Sequence, residues 1–280
     1  MSQQTRNQQT IIDASKRKLF PDFGELFRYK DLFFTLTWRD FRVRYAQTAI
    51  GFLWAFIQPI VSLILLTTIF SGIVGVKTEV PGILLTASGV GLWLYFSFVM
   101  TNSGDSIIAS QNMIKKIYFP RLIIPLSKAI VGFVEFIVAL IILIALMIYF
   151  GVSPSSYVFM CIPFLLLGIL AALGIGIWLS ALTVRYRDFK HVVPFMVQIG
   201  YFASPIGYPV EMVQSRLPDW ASTIYYLNPM AGVIQGFRWA LFGMEAPGNM
   251  IWVSVAIVIT LFITGLMYFN RMEEKMADFV

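Results

Sequence analysis

PVEMVQSRLPDWASTIYYLNPMAGVIQGFRWALFGMEAPGN, residues 209–249, fits neither a solvated loop nor a membrane span. Trp220, Tyr225, Tyr226, Phe237, Trp239 and Phe242 make it too aromatic for a connection bathed in water. Glu211, Arg216, Asp219 and Arg238, with prolines at 209, 218 and 229, interrupt it too often for a crossing of hydrocarbon. Short helices and irregular backbone persist at membrane depth only where protein or a water-filled cavity surrounds them. A stretch of this kind lines or caps a path through a membrane.

Its internal signals are local ones. Asn228 is a good N-cap, Pro229 suits a first helical position, and Gly243 follows the last periodic residue. They predict a helix over 229–242, about 21 Å long at 1.5 Å per residue. That is too short for about 30 Å of hydrocarbon. Residues 210–226 form another short amphipathic element. Two half-depth elements on one side suggest a gate over an exit, with Asn228, Pro229, Arg238 and Trp239 as its candidate residues. The alternative is a pair of helices lying in the headgroups.

Composition sets the class. The chain has 280 residues, of which 58% are hydrophobic and 13% charged, and a mean hydropathy of +0.75. One soluble core cannot hide that much apolar surface, so the chain reads as an all-α integral membrane protein. The net charge of +6 would suggest nucleic acid in a soluble chain. Here the charges sit in short clusters between apolar runs, as topology determinants do, and no nucleic-acid partner is implied. Six apolar runs are long enough to span, at about 50–76, 82–101, 122–150, 157–184, 192–208 and 250–269. The fifth is short and carries Pro194 and Pro205, which predict a bend or a break.

Orientation follows from Lys and Arg. One side collects Arg6, Lys16, Arg17, Lys18, Arg28, Lys30, Arg39, Arg42, Arg44, Lys115, Lys116, Arg121, Arg185, Arg187, Lys190, Arg271 and Lys275. The other has Lys77, Arg216 and Arg238. The positive-inside rule places both termini in the cytoplasm and residues 209–249 outside. Residues 1–25 read as a polar cytoplasmic tail, without the apolar core of a secretory signal. Over 26–48, Phe34, Trp38, Phe41 and Tyr45 recur as one aromatic stripe, with Asp31, Arg39, Asp40, Arg42 and Arg44 on other faces. This predicts an amphipathic helix in the cytoplasmic interface, either a plain anchor or a platform that a partner pushes.

Signs of enzymatic chemistry are few. His191 is the only histidine and Cys161 the only cysteine, so no zinc site of common ligand type and no disulfide framework can be assembled. No G-x-x-x-x-G-K-[ST] occurs, which leaves the chain without a P-loop. No catalytic residue and no metal ligand is assigned. Glu135 is the one acid deep in an apolar run, where lipid exposure would cost about 2.5–3.5 kcal/mol. It must face protein or water, through an ion pair with Lys128 two turns earlier, a bond to a neighbouring helix, or a transport role. Gly168, Ala172, Gly176 and Ser180 recur every fourth residue, a stripe that lets another helix approach.

The runs LGIGIWLSALTVRYRDFKHVVPFMVQIGYFASPIGYP (173–209) and YLNPMAGVIQGFRWALFG (226–243) resemble the permease subunits of ABC type-2 transporters that export polysaccharides. IGFLWAFIQPI (50–60) and MIKKIYFPRLIIPL (113–126) are similar to the start of that family's first span and to the junction of its second and third. The resemblance extends over about 26–270. It implies one permease domain over 26–280, an interface helix, six spans and two short re-entrant outer helices. It also implies a homodimer in the cytoplasmic (inner) membrane that docks two copies of a separate ATPase, with ATP and magnesium bound there and no cofactor in this chain.

The substrate so implied is a lipid-linked polysaccharide such as O-antigen or capsule. Sugars stack on aromatic rings, and Trp54, Phe56, Tyr95, Phe96, Tyr201, Phe202 and Tyr208, with Trp93, are candidates for the channel wall. Trp38, Arg39, Lys115, Lys116, Tyr118, Arg121, Arg187 and Asp188 are candidates for ATPase coupling. The basic ones serve equally well as topology signals near anionic lipid. An ABC type-2 exporter of a drug or lipid is the alternative function. A membrane enzyme acting on lipid-linked sugars would need paired acids or histidines near one face, which the sequence lacks.

Overall fold

The structure is a computed structural model that describes residues 19–45, 51–215, 218–273 and 276. Regular structure among these is entirely helical. On the cytoplasmic side of the predicted topology come α1 (Phe23–Arg28) and α2 (Lys30–Tyr45). The first long apolar helix runs through Gly51–Ile73, as a 3-10 turn, α3 (Trp54–Thr67) and a π-helical end, Thr68–Ile73. Then follow α4 (Gly82–Ala109), α5 (Gln111–Ile114), α6 (Ile123–Phe150), and α7 (Cys161–Arg185) after a 3-10 turn at Val158–Met160. The chain closes with α8 (Phe189–Ala203), α9 (Val210–Gln214), α10 (Asp219–Tyr225), α11 (Pro229–Phe242) and α12 (Ile251–Glu273).

Among the described residues, five helices are long and apolar enough to cross a membrane: Gly51–Ile73, Gly82–Ala109, Ile123–Phe150, Val158–Arg185 and Ile251–Glu273. They match five of the six apolar runs read from the sequence, and the fifth run is the one without a helix of spanning length. α8 has 15 residues, about 22 Å at 1.5 Å per residue, which falls short of the hydrocarbon thickness. The helix passes through Pro194 and stops at Ser204, where the backbone turns extended ahead of Pro205. A proline disfavours helical backbone in the residue before it, in keeping with the stop at Ser204. The second run, read as 82–101, continues to Ala109. Its polar end is satisfied within the helix and by α6: Asn102 Nδ2 donates to the Phe98 carbonyl (2.8 Å), Ser106 Oγ to that of Ser103 (2.6 Å) and Ser103 Oγ to that of Pro125 (3.1 Å).

α4 is the central post. Buried residues make up 89% of its most apolar stretch, against 22% in the first, fourth and last of the long helices. It packs between α6 and α7, and α7 in turn packs on α12 and α11. The α7–α12 seam relies on two glycines. A Cβ on Gly265 would lie 2.8 Å from the Gly174 carbonyl oxygen, and one on Gly174 would lie 2.9 Å from the Phe262 nitrogen. Beside them Trp178 stacks on Tyr268 at 4.5 Å and donates to Thr264 Oγ1 at 3.0 Å. The small-residue stripe packs as its spacing predicts: Ala172, Gly176 and Ser180 are buried, with Gly176 against Ser103 of α4.

Candidate functional site

The described residues of the 209–249 stretch fold as its local signals predict, with one subdivision. Asn228 Oδ1 accepts from the Met230 N–H at 3.0 Å, Pro229 opens α11, and Gly243 closes it with a left-handed φ of 72°. The element read over 210–226 is two helices, α9 and α10, with Pro218 at the start of the second. Arg216 lies outside the described residues. α11 does not lie on a surface. Of its 14 residues 12 are buried, against α7, α12 and α4.

Arg238 is the only charged residue of α11 and is 2% exposed. Its guanidinium donates to the carbonyls of Leu85 (2.9 Å), Ile206 (2.7 Å) and Tyr208 (3.0 Å), and to Ser88 Oγ (3.2 Å). It thus ties α11 to α4 and to the irregular segment 204–209. A fork of five donors spreads the charge over several carbonyl dipoles, and among the described residues no carboxylate forms an ion pair with it. A polar chain continues beside it. Gln214 Nε2 donates to the Tyr226 hydroxyl (3.1 Å), which donates to Gln235 Oε1, and Gln235 Nε2 donates to Glu211 (3.4 Å). Burial, then the Glu211 charge, pushes the Tyr226 phenol up to about 12. Asn228 also donates to Ser204 Oγ (2.9 Å). Trp239 faces the other way, stacked on Tyr157 (5.2 Å) and edge-on to Phe164 (6.3 Å).

The structure brings some of the aromatic candidates together. Trp93 contacts Phe96 (5.3 Å) and Tyr201 (6.1 Å), and Tyr201 meets Phe202 (5.4 Å). A Cβ on Gly200 would come 2.6 Å from the Trp93 ring, so the indole is seated on bare α8 backbone. Phe202 is 61% exposed, whereas Phe96 and Trp93 are buried. Tyr208 packs on Phe70 of the π-helical end (5.3 Å) and donates its hydroxyl to the Phe202 carbonyl. Tyr95 stands apart. It is buried against Phe133 of α6 (5.1 Å), and its hydroxyl has no partner. Trp54 and Phe56 lie at the start of α3, where an aromatic ladder runs from Trp38 through Phe41, Tyr45 and Phe52 to Phe56.

The candidates for ATPase coupling are largely exposed. Trp38, Arg39, Lys115, Lys116, Tyr118, Arg187 and Asp188 are exposed. A shallow cavity of about 230 Å³ is lined by residues 114–119 and Arg121. Arg121 is held in place: its backbone N–H donates to Glu273 Oε1 (2.7 Å) and its guanidinium to the Glu273 carbonyl (2.5 Å). Tyr118 donates to Glu25 (3.4 Å), and partial burial together with the Glu25 charge raises its phenol above the usual value. His191 is exposed, and Cys161 Sγ lies 3.8 Å from the Phe237 carbonyl of α11, a helix–helix contact.

A model of the ABC-2 type transporter family matches residues 31–242. The chain belongs to the ABC-2 type transporter family. Several curated proteins resemble it over nearly their whole length. An O-antigen export system permease protein, RfbA of Klebsiella pneumoniae, is 30% identical over 265 residues, covering 93% of this chain and 98% of that one. RfbA of Myxococcus xanthus is 23% identical over 253 residues, with 89% and 96% covered. The polysialic acid transport protein KpsM of Escherichia coli is 23% identical over 245 residues, with 85% and 92% covered. Chains of this ABC-2 family are transmembrane permeases whose ATPase is a separate subunit.

Within this ABC-2 chain, sequence reading missed the partners of its own charged residues. Glu135 and Lys128 do not pair with each other. Arg44 of α2 donates to Glu135, and Lys128 donates to Asp40 of α2. Of the readings open for Glu135, the bond to a neighbouring helix is the one found. Phe70, Ser88 and Gln235 were also missed, because nothing local distinguishes them from ordinary apolar-helix residues.

Proposed function

We propose that the chain is the membrane half of an ATP-driven exporter that carries a lipid-linked polysaccharide of the O-antigen or capsule kind across the cytoplasmic membrane. The observation that carries this reading is similarity over nearly the full length to O-antigen and polysialic acid export permeases, rather than to a motif alone. Two copies form one pore and dock two ATPase subunits, which bind ATP and magnesium. Both termini face the cytoplasm. α8 with the irregular segment 204–209 makes a sixth crossing, and α9 to α11 are the re-entrant outer elements.

Several features support this assembly. Val192, Phe195, Ile199 and Phe202 make one face of α8 that is 41–62% exposed in the single chain, suited to a pore or a second copy. The array of Trp93, Phe96, Tyr201 and Phe202 supplies ring faces for sugars beside the segment that Arg238 holds. Lys115, Lys116 and Tyr118 are exposed and open to an ATPase surface. The decisive experiment removes this protein and follows the glycan. Lipid-linked polysaccharide should accumulate on the cytoplasmic side while surface glycan disappears. Normal surface glycan after deletion, with no glycan-stimulated hydrolysis by the purified complex, refutes the reading.

A further inference from the structure

We propose that the interface helix α2 and the long helix α6 move as one rigid body during transport, pinned by two ion pairs. Force from an ATPase would then enter the spans through α6 rather than by a swing of α2. The inference rests on the proposed function, since it assigns positioning residues for that activity.

Asp40 and Arg44 are one turn apart on α2, and Lys128 and Glu135 are about two turns apart on one face of α6. Lys128 pairs with Asp40, and Arg44 pairs with Glu135. The four side chains are shielded: 13% of Asp40, 15% of Lys128, 34% of Arg44 and 4% of Glu135 is exposed. Among the described residues, every hydrogen-bond partner of Glu135 comes from α2, namely Arg44 and the Tyr45 hydroxyl at 3.4 Å. Its second carboxylate oxygen is buried without one. If α2 swung away, Glu135 would remain as an unpaired charge in an apolar helix, an arrangement far more costly than the intact pair.

The charge order also fixes the register. Moving α2 one turn along α6 in one direction sets Arg44 against Lys128, and in the other sets Asp40 against Glu135. Both shifts bring like charges together. Two further contacts seat α2: the Arg44 guanidinium lies 4.4 Å over the Phe98 ring of α4, and Leu36 is buried among residues from the starts of α6 and the end of α12. The opposite face of α2, with Phe34 and Trp38, stays exposed. The helix is thus fixed on one side and open to a partner on the other.

Val43 and Val131 line the same cavity of about 300 Å³ between α2, α4 and α6. They allow a direct test in the complete permease–ATPase complex. In a Cys161→Ser background, Val43→Cys and Val131→Cys would be bridged by a short bis-methanethiosulfonate linker. Export and ATP turnover should stay within about twofold of the unbridged pair. Bridging that stops both, with recovery on reduction, would show that α2 moves against α6 and overturn the proposal. Charge reversal gives an independent reading. Asp40→Lys or Lys128→Asp alone should lower export by about tenfold, and the double swap should recover most of it, as coupled neighbours do in a double-mutant cycle. Single reversals that export normally, or a swap that recovers nothing, count against the pinning. ATP turnover separates the two levels of argument. If the unmodified complex hydrolyses ATP but moves no lipid-linked glycan, the proposed function fails, while the effect of bridging on turnover still decides whether the helices move together.

Discussion

Arg238 donates to three backbone carbonyls and to Ser88 from a site that is almost fully buried. Removing it strands those acceptors away from water, and buried unsatisfied groups cost about 1–3 kcal/mol each. Arg238→Ala should therefore destabilise the permease by about 2–4 kcal/mol, seen as a lower unfolding temperature in detergent. Arg238→Lys should recover only part, because a point charge with three donors cannot match the planar fork. Unchanged melting of the alanine variant would mean the carbonyls are satisfied by other means. In the same variants the ATPase should still co-purify, since Arg238 lies far along the chain and the fold from the Lys115–Arg121 loop. A second residue-scale prediction concerns Gly200. Any side chain there meets the Trp93 ring at 2.6 Å, so Gly200→Leu should cost about 1–3 kcal/mol through overpacking. Thermal unfolding checks this as well, and Tyr201 fluorescence quenching by Trp93 would change with it.

α11 owes its start and stop to local chemistry and its position to neighbours. Asn228 caps it and also donates to Ser204 of the irregular segment. Asn228→Ala should lose about 1 kcal/mol from the cap and raise amide exchange in the first turn of α11, read by mass spectrometry. Exchange confined to the wild-type pattern would show that tertiary packing alone sets that end. α2 illustrates a different balance. Its aromatic stripe predicted an interface helix, and Phe34 and Trp38 do lie exposed on one face. The sequence placed Asp40 and Arg44 merely on other faces; in the fold they are the side that meets α6. On the KKIYFPR loop, Lys115 and Lys116 are exposed, so Lys115→Glu with Lys116→Glu should leave permease stability within about 0.5 kcal/mol. The double reversal should sharply reduce ATPase co-purification, most visibly at low salt where surface charge is least screened. Full retention of the ATPase would assign these lysines to topology alone.

At the scale of the molecule, α4 is enclosed by its own chain while the α3 and α8 faces are not. A homodimer that joins those faces should appear in lipid nanodiscs as a particle of twice the 31.8 kDa chain mass, measured by native mass spectrometry. A stable monomer that still supports transport would refute that assembly. The sequence by itself determined the membrane class, four of the long helices to within a few residues, and both ends of α11. These depend on local quantities: apolar run length, a capping asparagine, a proline at the first turn and a glycine that adopts positive φ. The last long helix and α4 ran past their predicted ends because polar residues can continue a helix when packing or internal hydrogen bonds satisfy them. Only the tertiary structure decided that Arg238 ties three segments together and that Glu135 answers to Arg44 rather than to Lys128. Each of those depends on which groups are brought within a few ångströms across 30 to 150 residues of chain. A buried charge announces in the sequence that it must have a partner, but helix packing alone chooses which partner it gets.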